Sequence, residues 1–342
     1  MQASGSSDLR YYPRHGDLRS ITANTSSASL SVGRPYKRHG ALRASQSFSA
    51  ASFYQFNPFA GAGIRGIEDL GLPTGDFQID RGRTFSYDLA AGTDWRLSSV
   101  DLLTVDYTLR HVNFTGEDIS LLTNGGAFRL SHRATRTISL IAGYGYQRAG
   151  ARGVDPTDFH DINSGVQYQA AFFNRRTTVS ATAGAAIVTT TDPVAGRVAP
   201  VVDATVFAAV RHEVTDGWNA GIEYRRAPQI LELYANPLYT DSLFATLRGR
   251  AGRKVAITMT SGYSRSRLSP GLGDRTNQTY FGSARTAWSP VRSLATYVEF
   301  AYYGFDTAPN RIVTAPISRV GRKALRAGLN WSLPLVVPRG RR

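Results

Sequence analysis

The sequence predicts an all-β chain closed as a transmembrane, antiparallel, up-and-down β-barrel of about 16 strands, within a range of about 14–18. Three observations carry that expectation. Apolar residues fall on every second position, the alternating segments are long, and the connections between them alternate between short and long. The whole chain, residues 1–342, reads as a single domain of this kind.

Taken in chain order, residues 3–12 and 18–32 read as an ascending and a descending strand, and fourteen more follow from about residue 41. In one of these, Leu103, Val105, Tyr107 and Leu109 alternate with Thr104, Asp106, Thr108 and Arg110. Ile138, Leu140, Ala142, Tyr144 and Tyr146 alternate with Ser139, Gly143, Gly145 and Gln147 in the same way. Ile162, Val166 and Tyr168 alternate with Asn163, Gly165, Gln167 and Gln169, and the pattern recurs in 202–210, 218–224, 255–263, 298–302 and 325–333. Side chains alternate across a strand, so each segment has one apolar and one polar or small face. The segments run about 10–14 residues, against about 5–6 for strands of soluble proteins. Short turns fall near residues 34–40, 96–99, 133–136, 174–176, 215–217, 249–253 and 289–293. Between them lie longer loops at 57–82, 115–119, 149–158, 189–197, 227–237, 266–275 and 306–318. That parity is expected of short periplasmic turns and longer extracellular loops, with both termini on the periplasmic side.

Composition narrows the function classes. The 342 residues include no cysteine, which excludes disulfides, a thiol nucleophile and cysteine-based metal sites. The longest apolar run, 204–210 (ATVFAAV), is far short of the ~18–20 residues of a membrane helix. A net charge of +15 would ordinarily point to nucleic acid, but the arginines are scattered, only Lys37, Lys254 and Lys323 are lysines, and no nucleic-acid-binding motif occurs. No nucleic-acid partner is expected. The first ten residues have no leader-like character and the chain opens in what reads as a strand, so N-terminal material is expected to be missing.

Aromatic and charged residues sort along the same axis. Trp95, Trp218, Trp288 and Trp331 lie at short-turn ends, whereas Tyr11, Tyr12, Tyr54, Tyr146, Tyr224, Tyr239, Tyr263, Tyr302 and Tyr303 gather at long-loop ends. Two interfacial girdles follow, because an aromatic ring with a polar tip favours the lipid–water boundary. Bacterial outer-membrane lipids, including lipopolysaccharide, are the expected surroundings. In the last segment Arg326, Gly328, Trp331 and Leu333 have the spacing polar-x-Gly-x-x-aromatic-x-hydrophobic. This resembles the C-terminal signal read by the bacterial barrel-assembly machinery, although here nine residues follow it.

The order of segments also resembles a family of outer-membrane β-barrel proteins of uncharacterised function, found mainly in acidobacteria and proteobacteria, some of them near exopolysaccharide or protein-sorting genes. The likeness rests on residues 144–148 (YGYQR), 161–168 (DINSGVQY), 175–180 (RRTTVS), 223–226 (EYRR), 298–303 (VEFAYY) and 328–335 (GLNWSLPL). It implies fold and location, and no activity or catalytic residues.

Candidate chemistry is sparse. Residues 61–66 (GAGIRG) satisfy G-x-G-x-x-G but lie in a long loop between Pro58 and Pro73, without the strand and helix that a dinucleotide site needs. The six histidines are single, so no metal site and no cofactor are expected. His160–Asp161 and Glu117–Asp118 are the adjacent pairs at a plausible extracellular rim, and no partner motif accompanies them, so the chain is not expected to be an enzyme. Alternation instead turns Asp88, Asp106, Arg110, Arg211, Glu223, Arg225, Arg248, Arg285, Glu299 and Arg326 into the lumen, with Gln167, Gln169, Asp203, Asn219 and Asn330. A lumen of ~16 strands is wide enough to hold water, and an excess of arginine would favour anions. The longest loop, 57–82, with its acids Glu68, Asp69 and Asp76, is a candidate to fold inward and narrow the pore. The expected function is a porin-like passive channel for small polar or anionic solutes. The alternative is a non-conducting barrel serving envelope assembly, anchoring or export.

Overall fold

The structure, a computed structural model, describes residues 2–12, 21–36, 40–51, 54–56, 75–77, 83–115, 119–151, 156–172, 175–189, 191–192, 196–197, 200–230, 237–268, 276–291, 293–307 and 319–334. Its strands in chain order are β1 (Gln2–Tyr12), β2 (Ile21–Tyr36), β3 (Gly40–Ala51), β4 (Tyr54–Phe56), β5 (Gly75–Phe77), β6 (Thr84–Arg96) and β7 (Asp101–Phe114). There follow β8 (Ile119–Arg133), β9 (Ile138–Ala151), β10 (Thr157–Phe172), β11 (Arg175–Thr189), β12 (Thr191–Asp192), β13 (Gly196–Arg197) and β14 (Val201–Thr215). The last are β15 (Trp218–Ile230), β16 (Pro237–Ala251), β17 (Val255–Leu268), β18 (Thr276–Val291), β19 (Leu294–Thr307) and β20 (Arg319–Pro334). Two small ribbons, β4–β5 and β12–β13, interrupt long connections, and the other sixteen strands form one closed barrel.

Every barrel strand pairs antiparallel with its chain neighbour, and β1 closes the ring on β20 from Gln2↔Pro334 to Tyr11↔Leu325. Closure removes the exposed edges that an open sheet of this size would carry. At ~4.8 Å between strands and a tilt near 40°, sixteen strands make a ring about 30 Å across between backbones. The accessible surface is 20483 Å², well above the ~14,000 Å² of a compact chain of 37.2 kDa. A hollow shell exposes two faces, which accounts for the excess.

The period-2 pattern decides which side chains face which way. Val202, Ile222, Val298 and Phe300 stand on the outer face and are each more than half exposed. Their neighbours in sequence turn inward, among them the buried Glu223, Glu299 and Ala301. On β18, Tyr280 and Trp288 sit eight positions apart on the outer face. At ~3.4 Å per residue and ~40° tilt that is about 21 Å of height, close to the ~25 Å apolar band of a membrane barrel. All four tryptophans face outward at short-turn ends. The tyrosines sort less uniformly: Tyr303 faces the lumen at 5% exposure, and Tyr239 is buried in a cluster with Phe159 and Val188. These two belong to the interior, not to the girdle that the sequence predicts for them. A ring is amphipathic enough to serve on either face, and position along the strand does not distinguish them.

The short turns are closed by local chemistry. Gly217 and Gly252 take φ of 81° and 80°, the left-handed region that tight hairpins require. In the turn before β7, Ser98 Oγ accepts from the N–H groups of Val100 (3.1 Å) and Asp101 (3.0 Å). Thr135 Oγ1 does the same for Thr137 (3.2 Å) and Ile138 (2.9 Å), a hydroxyl substituting for a backbone carbonyl. Several strands run further than the sequence pattern indicates, among them β2 to Tyr36 and β17 to Leu268. β9 ends at Ala151 and β15 at Ile230, so the loops after them are shorter than expected.

Candidate functional site

The inner wall of the barrel is where polar chemistry converges. All ten lumen candidates lie at inward positions: Asp88, Asp106, Arg110, Arg211, Glu223, Arg225, Arg248, Arg285, Glu299 and Arg326. With the last three residues of each strand end set aside, the described inward side chains comprise eight arginines and six acids. The arginines are Arg43, Arg110, Arg129, Arg211, Arg225, Arg248, Arg285 and Arg326, and the acids are Asp8, Asp88, Asp106, Asp161, Glu223 and Glu299. Arg43, Arg129, Asp8 and Asp161 are absent from the sequence-derived set. Arg129 between Phe128 and Leu130, and Asp161 beside Ile162, carried the necessary alternation. Arg43 and Asp8 lie in serine-rich strands whose pattern is weak.

These charges form three groups. On β3–β7, Arg43 bridges Asp94 at 2.5 Å and Asp106 at 2.7 Å. Its guanidinium crosses Gly92, where a Cβ would lie 2.9 Å from Arg43 Nε and collide with the Asp106 carboxylate. Thr104 Oγ1 donates to the second Asp94 oxygen at 2.9 Å, and Arg110 stands 3.8 Å from Asp88. On β10–β15, Asp161 accepts from Asn163 Nδ2 (3.0 Å) and Thr205 Oγ1 (3.1 Å). Nearby, Arg225 lies 3.7 Å from Glu223 and over the Phe207 ring. On β18–β20 and β1, Arg285 stacks 3.6 Å above the Tyr297 ring, whose hydroxyl donates to Asp8 at 3.3 Å. Arg326 pairs with Glu299 at 3.6 Å and donates to Tyr303, which itself stacks on Phe281.

The third group also explains the spacing near the chain end. Arg326 and Gly328 face the lumen, where the Tyr297 ring lies against the Gly328 backbone with no room for a Cβ. Trp331 and Leu333 face outward, and Trp331 covers Gly5 of β1. Two residues of one parity followed by two of the other therefore mark both faces of the closing strand.

Exposure along the inner wall is graded. Near the short turns water reaches the inward residues, with the Arg43 side chain 44% exposed. Near the long loops the inward residues Thr25, Ala51, Thr84, Val112, Phe159 and Val188 are buried. Hydroxyl ladders line much of the remaining wall: Ser4···Ser29 (2.6 Å), Ser6···Ser27 (2.7 Å), Ser49···Ser86 (2.6 Å) and Thr260···Ser283 (2.7 Å).

The remaining candidates separate. His160 and Asp161 lie within β10, so alternation turns them to opposite faces. His160 meets the Tyr144 hydroxyl at 2.8 Å on the outside, while Asp161 belongs to the lumen. They are not a rim pair. Glu117–Asp118, residues 61–66 and the acids of the 57–82 loop lie outside the described residues. Among the described residues no group of three metal-ligating side chains converges.

No family model and no curated protein matches the chain. Among solved structures it is similar to OpdK of Pseudomonas aeruginosa with vanillate, at 9% identity over 97% of this chain and 98% of that chain, with a TM-score of 0.49. It is similar also to OccK8 (OprE) of Pseudomonas aeruginosa, at 8% identity over 98% of each chain, TM-score 0.48. A third is the siderophore receptor PirA of Acinetobacter baumannii, at 8% identity over 97% of this chain and 80% of that chain, TM-score 0.43. At these values the likeness carries no functional argument, which must come from the lumen itself.

Proposed function

We propose that this chain is a bacterial outer-membrane β-barrel acting as a porin-like passive channel for small polar solutes, with a modest preference for anions. The observation that carries the reading is the exposure of charged side chains inside a closed sheet: 44% for Arg43, 46% for Arg110 and 40% for Asp88. Ions enclosed by a sheet and left that accessible require water in the lumen, because dry burial would cost several kcal/mol for each ion. The outer apolar band and its aromatic borders support the membrane location, and the short turns are assigned to the periplasm. The resemblance to the acidobacterial and proteobacterial barrel family agrees with that location. No chemistry beyond permeation is assigned to the lumen, so the chain is read as a non-enzyme.

Anion preference rests on two features. Arginines exceed acids by two among the described mid-strand lumen side chains. In two of the pairs the carboxylate is also the less exposed partner: Asp106 is 12% exposed against 44% for Arg43, and Glu223 11% against 27% for Arg225. A solute in the lumen meets guanidinium groups first, so the local potential is more positive than the count implies. The buried ring near the long loops favours the second reading, a non-conducting barrel in envelope assembly or export. Planar-bilayer recording of the purified chain decides between them. Stable channels with anion-selective reversal potentials are expected, and absence of conductance or clear cation selectivity refutes the proposal.

A further inference from the structure

On the outer wall one side chain departs from the apolar pattern. Gln46 stands on the outer face of β3, exposed, in line with Leu42 and Phe48. Its register partners are Leu30 on β2 and Leu89 on β6. The amide has no hydrogen bond among the described residues, the diagonal Tyr87 included. Its depth follows from the strand pairing. Hydrogen-bonded rows climb around the ring: the row of Gly40 and Trp95, at short-turn ends, passes through Ala142 and Ala183 to Arg226, toward the long-loop end of β15. At ~40° of tilt each residue along a strand adds about 2.6 Å of height, and each strand of a row about 3 Å. Gln46 is six residues above Gly40, itself one strand below Trp95, and so about 13 Å above that tryptophan. That is the middle of an apolar band ~25 Å tall. Asn124, in the same row three strands further round, lies about 9 Å higher, at the tyrosine border. The other described polar side chains of the outer wall at the depth of Gln46 are hydroxyls, Ser164 and Thr286 among them, which can turn to a backbone carbonyl.

We infer that this face of β2, β3 and β6 is the interface with a second copy of the chain, the two Gln46 amides hydrogen-bonded to each other across a two-fold axis along the membrane normal. The inference rests on the outer-membrane reading above. An amide without a partner in hydrocarbon is strongly unfavourable. Acyl chains offer it no hydrogen bond, and the short glutamine stem does not reach headgroups roughly 12 Å away on either side. A primary amide is its own complement, with a donor edge and an acceptor edge, so a symmetric pair closes two N–H···O bonds. An axis along the membrane normal brings each residue to its own copy at the same depth, which is the one place where Gln46 meets a matching group. Ala28, Ala44 and Ala91 are exposed around the amide and let the two walls approach, the role that small residues play in membrane interfaces. Leu30, Leu89 and Phe48 then pack around the amide pair as an apolar rim.

Phosphatidylcholine proteoliposomes of the purified full chain test this. Single-molecule photobleaching at falling protein-to-lipid ratio should show a reversible monomer–dimer equilibrium for the wild type. Gln46→Leu removes both amide bonds and should raise the dimer dissociation constant about tenfold, on the scale of side-chain hydrogen bonds between membrane segments. Gln46→Asn keeps an amide and should stay closer to wild type. Leucine already faces lipid on both flanking strands, so Gln46→Leu should be at least as stable as wild type in urea, which separates a lost interface from misfolding. Since the chain has no cysteine, spin labels can be placed singly. In the dimer, labels at Ala44→Cys should lie within about 30 Å of each other, and labels at Ala208→Cys, on the far wall, beyond about 50 Å, given rings ~30 Å across. A wild type that is monomeric at every density overturns the inference, as do Gln46→Leu dimers as tight as wild type. Labels closer at Ala208→Cys than at Ala44→Cys, or a trimer, overturn it too. Gln46 is outside the lumen, so conductance per barrel should not change in the variants. A monomer that conducts overturns only this inference, and a Gln46-dependent dimer that does not conduct overturns only the channel reading.

Discussion

Replacing Arg43 by alanine removes one positive charge from a water-accessible part of the inner wall and leaves Asp94 and Asp106 without their shared partner. The fold should tolerate it, because ion pairs this exposed contribute about 0–1 kcal/mol. The effect on a passing ion follows from Coulomb's law. At about 6 Å in water the lost charge is worth about 0.7 kcal/mol, reduced to about 0.3 kcal/mol by a Debye length near 8 Å at ~0.15 M salt. Anions lose that amount and cations gain it, so the anion-to-cation permeability ratio should fall by about threefold. At ~1 M salt the Debye length is near 3 Å, and the same calculation leaves a change of only about 1.4-fold. Reversal potentials measured across a salt gradient at both ionic strengths provide the assay. A shift toward anions, or a threefold shift that persists at high salt, would refute the idea that guanidinium groups in an aqueous lumen set the preference.

Two further substitutions test the wall that holds these charges. Glu299→Leu leaves the buried Arg326, 7% exposed at its side chain, without its carboxylate. The barrel should lose about 3–5 kcal/mol in urea unfolding, and a loss below ~1 kcal/mol would show that the pair is structurally idle. Gly184→Ala drives a Cβ into the backbone carbonyl of Ile162 and should cost about 1–3 kcal/mol or more, whereas Gly282→Ala meets open space and should be near neutral. Equal stability of the two alanine variants would remove the close-approach explanation for the inward glycines of β10 and β11.

The barrel was legible because its rule is local. A strand facing lipid on one side and water on the other writes a period of two, and long strands repeat it enough times to be read without knowing any partner. The same rule locates lumen charges where outward residues are large, as in Leu103–Arg110, and it extends to Arg129 and Asp161, which the sequence-derived set left out; it is weak where outward residues are small. Asp8 and Arg43 sit among serines that suit either face. Pairing was not legible at all. That Arg285 stacks on Tyr297 while Tyr297 reaches Asp8 depends on ring closure between β1 and β20, a contact between opposite ends of the chain. Likewise His160 and Asp161 look like a pair in one dimension, and only the strand assignment sends them to opposite faces.

The graded burial of the inner wall bears on where permeation through the proposed channel would be controlled. Along β3 the inward series Arg43, Ser45, Ser47, Ser49 and Ala51 passes from exposed through intermediate to 7% exposed. Opposite positions repeat the trend, with Asn219 exposed and Val188 at 2%. Among the described residues the inner wall is thus more accessible toward the short turns than at the long-loop ends of the strands, and on the channel reading the narrowest passage is expected at that end. The chain contains no cysteine, which allows single cysteines to report that profile directly. With a small charged thiol reagent added from the short-turn side, Ser45→Cys should react at least about tenfold faster than Ala51→Cys. An anionic reagent should outpace a cationic one at Ser45→Cys, next to Arg43. Uniform reactivity along β3 would mean a pore without a constriction at the long-loop end. Selectivity would then be set over the whole length of the lumen.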